Sequence, residues 1–415
     1  MNTLSKKVIS GLEYIFFILL ILSLRTIFVH LMYYRTNIYL KVLMIIVSTL
    51  LILLGLSKFR VEKHFVFSMF SYILVAMMFF LINFSRISEG LQALFFDLFL
   101  LLPVFVILIK NYSNQGRLGA FIAKYSEIVT VIALISLFFW IFGSLLYIIS
   151  PNIRVLTNWA DIRGRIISGY YYLYFETQRI ELLGFSGWRN TSIFVEGPMY
   201  NFVLNIAYIQ SVFFEKNRKK FREIILLFSI LSTFSITGIL VISLINFYNI
   251  YLKSKLTTKK VLFLATLSPL ALFGAIRLIY DIILEKAQSS SASIRMDDLL
   301  AGAKAWWASP LLGHGYMHLE AVLPYMNMSI RPNTGYSNGI FSTFVQGGVI
   351  LFLMYYLPMV LIFFSRKISF DLKFSILLWI FLLLSTIVDN TPLFLFVIAL
   401  GYVICFSDEY TRGTL

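Results

Sequence analysis

Arginine without lysine marks the stretch from about 150 to 197. Its cations are Arg154, Arg163, Arg165, Arg179 and Arg189. A guanidinium offers a planar donor fork that fits phosphate or carboxylate, and it keeps its charge when desolvated. The competing use is pairing with Asp161, Glu176, Glu181 and Glu196, or reaching for the membrane surface. A second polar stretch, about 280–351, holds Arg295, Arg331, His314 and His318 beside the acidic pair Asp297-Asp298. Histidine titrates near neutrality, and His314 sits between Gly313 and Gly315. Anion binding with proton transfer is the chemistry these residue types suit. The blander readings are a loop histidine without chemistry, and acidic residues that cap a helix starting near Leu299. His318, four residues on, shares a helical face with His314, but two histidines make a poor metal site.

The first of these stretches is also aromatic, with Trp159, Tyr170, Tyr171, Tyr172, Tyr174, Phe175, Phe185 and Trp188. At a membrane surface such residues serve as anchors, and a sugar-binding face has the same composition. Other chemistry lacks its motifs. There is no G-x-x-x-x-G-K-[ST] loop and no H-E-x-x-H. Asp297-Asp298 is not a D-x-D signature, so neither a cofactor nor a metal is expected. Cys405 is the only cysteine, which excludes an intrachain disulfide.

The elements that position these residues are membrane helices. The chain is 415 residues long, 59% apolar and 13% charged, with a mean hydropathy of +0.85. Soluble domains run at about 45–50% apolar and about 25% charged. Apolar runs of bilayer-crossing length recur, without the short alternating segments of a barrel. The fold class is all-α: a polytopic helical membrane protein of about twelve spans, forming a single domain over 1–415. Spans are expected at 8–28, 37–57, 65–84, 91–110, 126–149, 198–214, 222–235, 238–252, 261–280, 339–364, 374–388 and 391–407. Lysine and arginine clusters around Lys58, Lys110, Lys216, Lys253 and Lys367 fall on one side. The positive-inside rule makes that side, and both termini, cytoplasmic. The net charge of +15 is therefore read as basic cytoplasmic loops, with no nucleic acid. The large loops at 150–197 and 281–338 then lie outside, both with short helices, which in the latter are interfacial and anchored by Trp306 and Trp307.

The stretch from Arg222 to Tyr251 is only about one and a half spans long, yet basic at both ends. It must enter the membrane and return, turning at Phe234-Ser235-Ile236-Thr237-Gly238. Lipid cannot satisfy free backbone, so this turn belongs in protein or beside a cavity. Charges inside spans are few, namely Glu13, Asp97 and Arg277, where an ion-coupled carrier uses several.

Three stretches resemble the O-antigen polymerase and ligase family, integral-membrane enzymes that extend or transfer bacterial polysaccharides. Arg189-Asn190-Thr191-Ser192-Ile193-Phe194-Val195-Glu196-Gly197-Pro198 is similar to the family's R-x-x-G-x-F-x-E-P element. Ser192 replaces its glycine, and Gly197 is inserted before Pro198. The Phe234–Gly238 turn resembles S-R-x-G, with Ile236 in place of the arginine. Arg295, Trp306/Trp307, Pro310-Leu311-Leu312-Gly313-His314-Gly315 and Tyr316 resemble R…W…P-L-x-G-x-G. Ser337-Asn338, nine residues and Gly348 then resemble H-[NSQ]-x9-G-x-x. Ser337 stands where the ligase branch has histidine, which favours the polymerase branch.

The resemblance implies a glycosyltransferase that polymerises lipid-linked repeat units of an O-antigen, capsular or exopolysaccharide. It would work at the outer face of a bacterial cytoplasmic membrane. The substrate would be an oligosaccharide on undecaprenyl diphosphate, an activated leaving group that needs neither nucleotide nor metal. Arg189 and Arg295 would stabilise the diphosphate, followed by Arg331 and Arg163. His314 or Glu196 would serve as base, and Tyr336, Ser337 and Asn338 would contact substrate. The bilayer, a flippase and chain-length regulator proteins are the expected partners. The alternatives are a ligase moving glycan to another acceptor, and a non-enzymatic flippase or exporter of lipid-linked sugars.

Overall fold

The computed structural model describes residues 3–32, 36–60, 62–84, 90–157, 165–182, 185–215, 219–249, 290–331 and 334–406. The protein is an all-α polytopic membrane protein, as its composition predicts. Its helices are α1 (Thr3–Leu22), α2 (Thr36–Gly55), α3 (Lys63–Phe84), α4 (Leu91–Asn114), α5 (Leu118–Leu145) and α6 (Gly197–Phe213). There follow α7 (Lys220–Ser232), α8 (Ile236–Phe247), α9 (Ser290–Ala308), α10 (Gly339–Phe364), α11 (Phe370–Leu383) and α12 (Pro392–Phe406). By length and composition α2–α5 and α10 can each cross a bilayer, and α8 and α12 are shorter apolar helices. The remaining helices except α9 fall on other expected spans. The span expected at 261–280 lies outside the described residues, as does Arg163.

The core is centred on α12, which is apolar and buried on every side from Leu393 to Ile404. A helix hydrophobic all round belongs in an interior, and α12 packs between α4 and α10. Phe396 gathers Phe16, Phe17 and Phe105 with ring centroids 5.6, 5.8 and 5.9 Å away. This joins α1, α4 and α12. Two acidic residues inside the spans are neutralised. Glu13 accepts from Tyr112 at 2.7 Å and pairs with Lys124 at 3.0 Å and Arg117 at 3.2 Å. Asp97 pairs with Lys41 at 2.5 Å and accepts from Tyr316 at 3.0 Å.

The re-entrant turn is present. With 13 residues, α7 rises only about 20 Å, short of the ~30 Å hydrocarbon core. The chain breaks at Thr233–Ser235, with Phe234 in the left-handed region at φ 50°. It then returns through α8 to Tyr248, whose ring lies 5.6 Å from that of Phe213, back near the start of α7. Protein satisfies the polar turn. Thr233 Oγ1 donates to the Ile230 carbonyl at 2.7 Å, and Thr237 bonds Ser385 at 3.1 Å.

Two expectations need correction. Short helices were expected in both large loops, but the first is antiparallel sheet. β1 (Ile153–Thr157), β2 (Arg165–Tyr170) and β3 (Tyr174–Glu176) form one sheet, and β4 (Arg179–Leu182) pairs with β5 (Phe185–Trp188). The cause is period-two alternation of β-branched and aromatic residues. Val155, Ile167 and Phe175 turn inward onto Ile27 and Val195, while the paired Leu156 and Ile166 stay exposed. In the second loop, α9 begins at Ser290 rather than near Leu299. Asp297 and Asp298 are therefore mid-helix residues with side-chain partners, not caps. Trp307 is exposed as an interfacial anchor should be, whereas Trp306 turns inward, 4.7 Å from the Phe344 ring.

Candidate functional site

The segment 189–197 is built to present Arg189. Asn190 is fully buried and rivets three pieces together. Its amide nitrogen donates to Ser232 Oγ at 3.0 Å and its backbone N–H to the Ser232 carbonyl at 3.0 Å. Its Oδ1 accepts from Ser136 of α5. Ser192 takes a left-handed backbone at φ 52°, a conformation favouring glycine. This explains the glycine in the pattern it departs from. The segment then pairs with the chain just after α1, through Ile27 N–H to the Ile193 carbonyl at 2.9 Å and Val195 N–H to the Arg25 carbonyl at 3.0 Å.

Arg189 Nε donates to the Thr233 carbonyl at 2.8 Å, so the re-entrant turn aims the guanidinium. The inserted Gly197 gains a purpose, because any Cβ there would collide with that guanidinium. Burial lowers the Arg189 guanidinium to about 10; Glu196 opposes this and Arg295 adds to it. Protein crowding likewise lowers Arg295, with Asp298 and Glu196 opposing. Two cations that repel one another thus share the carboxylate of Glu196. Among the described residues neither has a carboxylate within ion-pair distance. Glu196 precedes the first turn of α6, where the helix dipole favours an anion, and it pairs with Arg25 at 3.2 Å.

Arg331 is arranged differently. It is buried and bonded to Asp297 at 3.2 Å, Asp298 at 2.6 Å and the Gly335 carbonyl at 2.9 Å. Asp298 also accepts from the Ser337 hydroxyl at 2.6 Å and its N–H at 2.9 Å. Arg331, Asp298 and Ser337 form one clamp between α9 and the approach to α10. Asn338 caps α10, accepting from Phe341 N–H at 2.9 Å. The Tyr336 hydroxyl lies over Gly302, which has no side chain to block it, and has no hydrogen-bond partner among the described residues.

His314 belongs to a plug in α10. At Gly348 that helix breaks, with φ 59° and ψ −154°, freeing backbone groups on both sides. The 310–315 segment supplies partners for them. Val345 and Gln346 carbonyls accept from His314 and Gly315 N–H at 2.7 and 3.0 Å, and Val349 N–H donates to the Pro310 carbonyl at 2.9 Å. Gly313, at φ 62°, permits the approach to Gly347. The P-L-x-G-x-G and x9-G patterns are therefore two halves of one joint. His314 Nε2 lies 2.7 Å from the Ala305 carbonyl. A carbonyl only accepts, so Nε2 carries the proton and the ring clamps α9.

Three residues of the same region were missed from sequence. Asp389, between α11 and α12, is buried. It accepts from Ser342 at 2.6 Å and Gln346 at 2.5 Å through one oxygen, and its other oxygen has no partner among the described residues. Burial raises its carboxyl to about 6, against the hydrogen bonds and the nearby Arg25. The expected span 374–388 hid it, because α11 ends at Leu383. Arg25 acts on both Glu196 and Asp389. His30, lowered by burial and then by Arg25, also faces Glu196. Their only sequence signal was a shared side of the membrane. Arg25, Arg189, Glu196, Arg295, Asp298 and Asp389 thus form one connected electrostatic cluster, while His314 and Asn338 support it from the α9–α10 joint. Among the described residues no group of three histidine, cysteine or acidic side chains could hold a metal ion.

Residues 224–356 match the family model described as O-antigen ligase. The match runs from α7 into α10 and includes Arg295, His314, Arg331 and Ser337. It leaves Arg189, Glu196 and Asp389 outside. No curated protein matches the chain.

Proposed function

From the chain's place in the O-antigen polymerase and ligase family, we propose that it is a polymerase of lipid-linked oligosaccharide repeat units. The donor is a glycan on undecaprenyl diphosphate, the acceptor a hydroxyl of the next repeat unit, and the site faces outward from a bacterial cytoplasmic membrane. The observation that carries this reading is the convergence of Arg189 and Arg295 on Glu196, neither having a carboxylate partner among the described residues. The acceptor oxygen bonds to the anomeric carbon as the bond to the diphosphate breaks. The diphosphate leaves with the electron pair, and the two guanidiniums stabilise its growing charge. Preorganised donors of this kind are typically worth about 10²–10³ in rate each. Arg331 is not assigned this role, since two aspartates already neutralise it.

The hydroxyl proton goes to Asp389. Its unpartnered oxygen and its raised carboxyl, at about 6, suit a general base near neutrality. Glu196 is held by Arg25 and organises the arginines. His314 directs its Nε2 hydrogen at a backbone carbonyl and positions α9. Ser337 in place of the ligase branch's histidine supports the polymerase reading, and the name of the matched family model favours a ligase as the second. Purified protein incubated with its lipid-linked repeat unit, without nucleotide or metal, should yield a ladder of lengths. No product, or only transfer of preformed chains to a different acceptor, would overturn the polymerase reading.

A further inference from the structure

Between the C-terminal part of α5 and the length of α7 runs an open groove of about 400 Å³, lined by Leu137, Trp140, Ile141, Ile224, Phe228 and Leu231. That volume falls within the roughly 300–1,000 Å³ of small-molecule sites. Its surface is almost wholly apolar, and it ends at Ser232 and Phe234. Ile224 and Ser232 are eight residues apart on one helix, about 12 Å along its axis. The groove therefore runs along the span toward the re-entrant turn.

What lies at that end selects the occupant. The Ser232 carbonyl receives the Asn190 N–H, and the next carbonyl, of Thr233, receives Arg189 Nε. The apolar groove thus runs directly into the backbone that holds a guanidinium without a carboxylate. Trp140 closes this mouth from α5, donating to the Trp188 carbonyl at 2.8 Å with its ring 6.2 Å from Phe234. A ligand fitting both parts has a long hydrocarbon tail attached directly to a strong anion.

We propose that this groove holds the polyprenyl chain of the lipid-linked donor and delivers its diphosphate to Arg189. The proposal rests on the function assigned above and adds where the lipid lies. Groove-filling side chains should then weaken the prenyl ligand without touching the anion site.

The test measures binding of undecaprenyl diphosphate and of inorganic pyrophosphate to the full chain in phospholipid nanodiscs. Ile141→Trp should weaken undecaprenyl diphosphate about tenfold and leave pyrophosphate unchanged, while Arg189→Ala should weaken both. If Ile141→Trp leaves the prenyl ligand unaffected while Arg189→Ala weakens both, the tail lies elsewhere and the functional reading stands. If Arg189→Ala changes neither, the functional reading itself falls. A milder variant guards against misfolding: Ile141→Cys in a Cys405→Ser background, probed with a lipid-soluble maleimide. Undecaprenyl diphosphate should slow its labelling several-fold over the phospholipid background. Equal labelling with and without it would mean that the groove holds only bulk lipid, and the proposal would be wrong.

Discussion

At one end of the helical assembly Arg222 is gripped by Glu215 and by Glu127 at 3.1 Å, while Arg117 and Lys124 share Glu13 and Lys110 takes Glu62 at 2.8 Å. At the opposite end Arg189 and Arg295 have acidic neighbours yet no ion pair among the described residues. Each nearby carboxylate there is already engaged: Glu196 by Arg25, Asp298 by Arg331, Asp389 by Ser342 and Gln346. Number of charges does not separate the two ends; assignment of partners does. Paired cations fix helices in place. Cations whose potential partners are taken keep a positive field available for an anionic ligand.

Exchanging the two kinds of arginine should give the largest effects. Arg189→Ala and Arg295→Ala should each lower the chain-extension rate at least about 100-fold, read as product per folded molecule. Arg222→Ala should instead cost roughly 3 kcal/mol of stability, as expected for a nearly buried pair that loses one member, and leave that rate within about twofold. Equal rate losses at both ends would erase the distinction.

The next effect is steric. Gly197→Ala adds no charge and suits the start of a helix, but its Cβ occupies the space of the Arg189 guanidinium. Displacing a catalytic group by about 1 Å can cost about 10² in rate, so a tenfold to hundredfold loss is expected. Unchanged thermal stability would place the loss at the arginine rather than in the fold.

Asp389 brings a definite pH dependence. A base titrating at about 6 makes the rate rise with pH through that value and level off above it. Asp389→Asn should flatten this rise and lower the rate roughly 10²–10⁴-fold at pH 7 if proton transfer limits it, or less if lipid release does. Stability should move oppositely. An unfolded aspartate ionises near 3.9, so from about pH 4 to 6 the folded chain binds more protons and loses stability as pH rises. The Asn variant lacks that loss, and its melting temperature at pH 7 should exceed that of the parent.

Segments with a repeating pattern were legible in sequence. Apolar runs placed the helices, and basic clusters at both ends of Arg222–Tyr251 required the re-entrant hairpin. The arginines of interest followed from guanidinium chemistry together with the family resemblance. Partner choice was not legible, since it depends on side chains far apart in the chain. Arg331 and Arg189 look alike in sequence, yet Asp297 and Asp298 neutralise only the former. Asp389 was passed over because the expected spans at 374–388 and 391–407 left it only a two-residue turn, whereas the eight residues from Leu384 to Thr391 form no helix. The strands of 153–188 were missed because the aromatic content was read as membrane anchoring, while its alternation fits a small sheet.

The smallest effect concerns backbone alone. Ser192 holds φ 52°, which costs a residue with a Cβ about 1–2 kcal/mol relative to glycine. Its buried hydroxyl meets that of Tyr200 without good hydrogen-bond geometry, so the side chain returns little. Ser192→Gly should therefore raise stability by about 1 kcal/mol, less than the backbone term because glycine also loosens the unfolded chain. Melting in detergent would show this. The chain-extension rate should stay within twofold, because the backbone bonds of Asn190, Ile193 and Val195 already fix the Arg189 segment. A large rate change would mean that the Ser192 side chain itself acts in the site, and that the strained turn does more than aim an arginine.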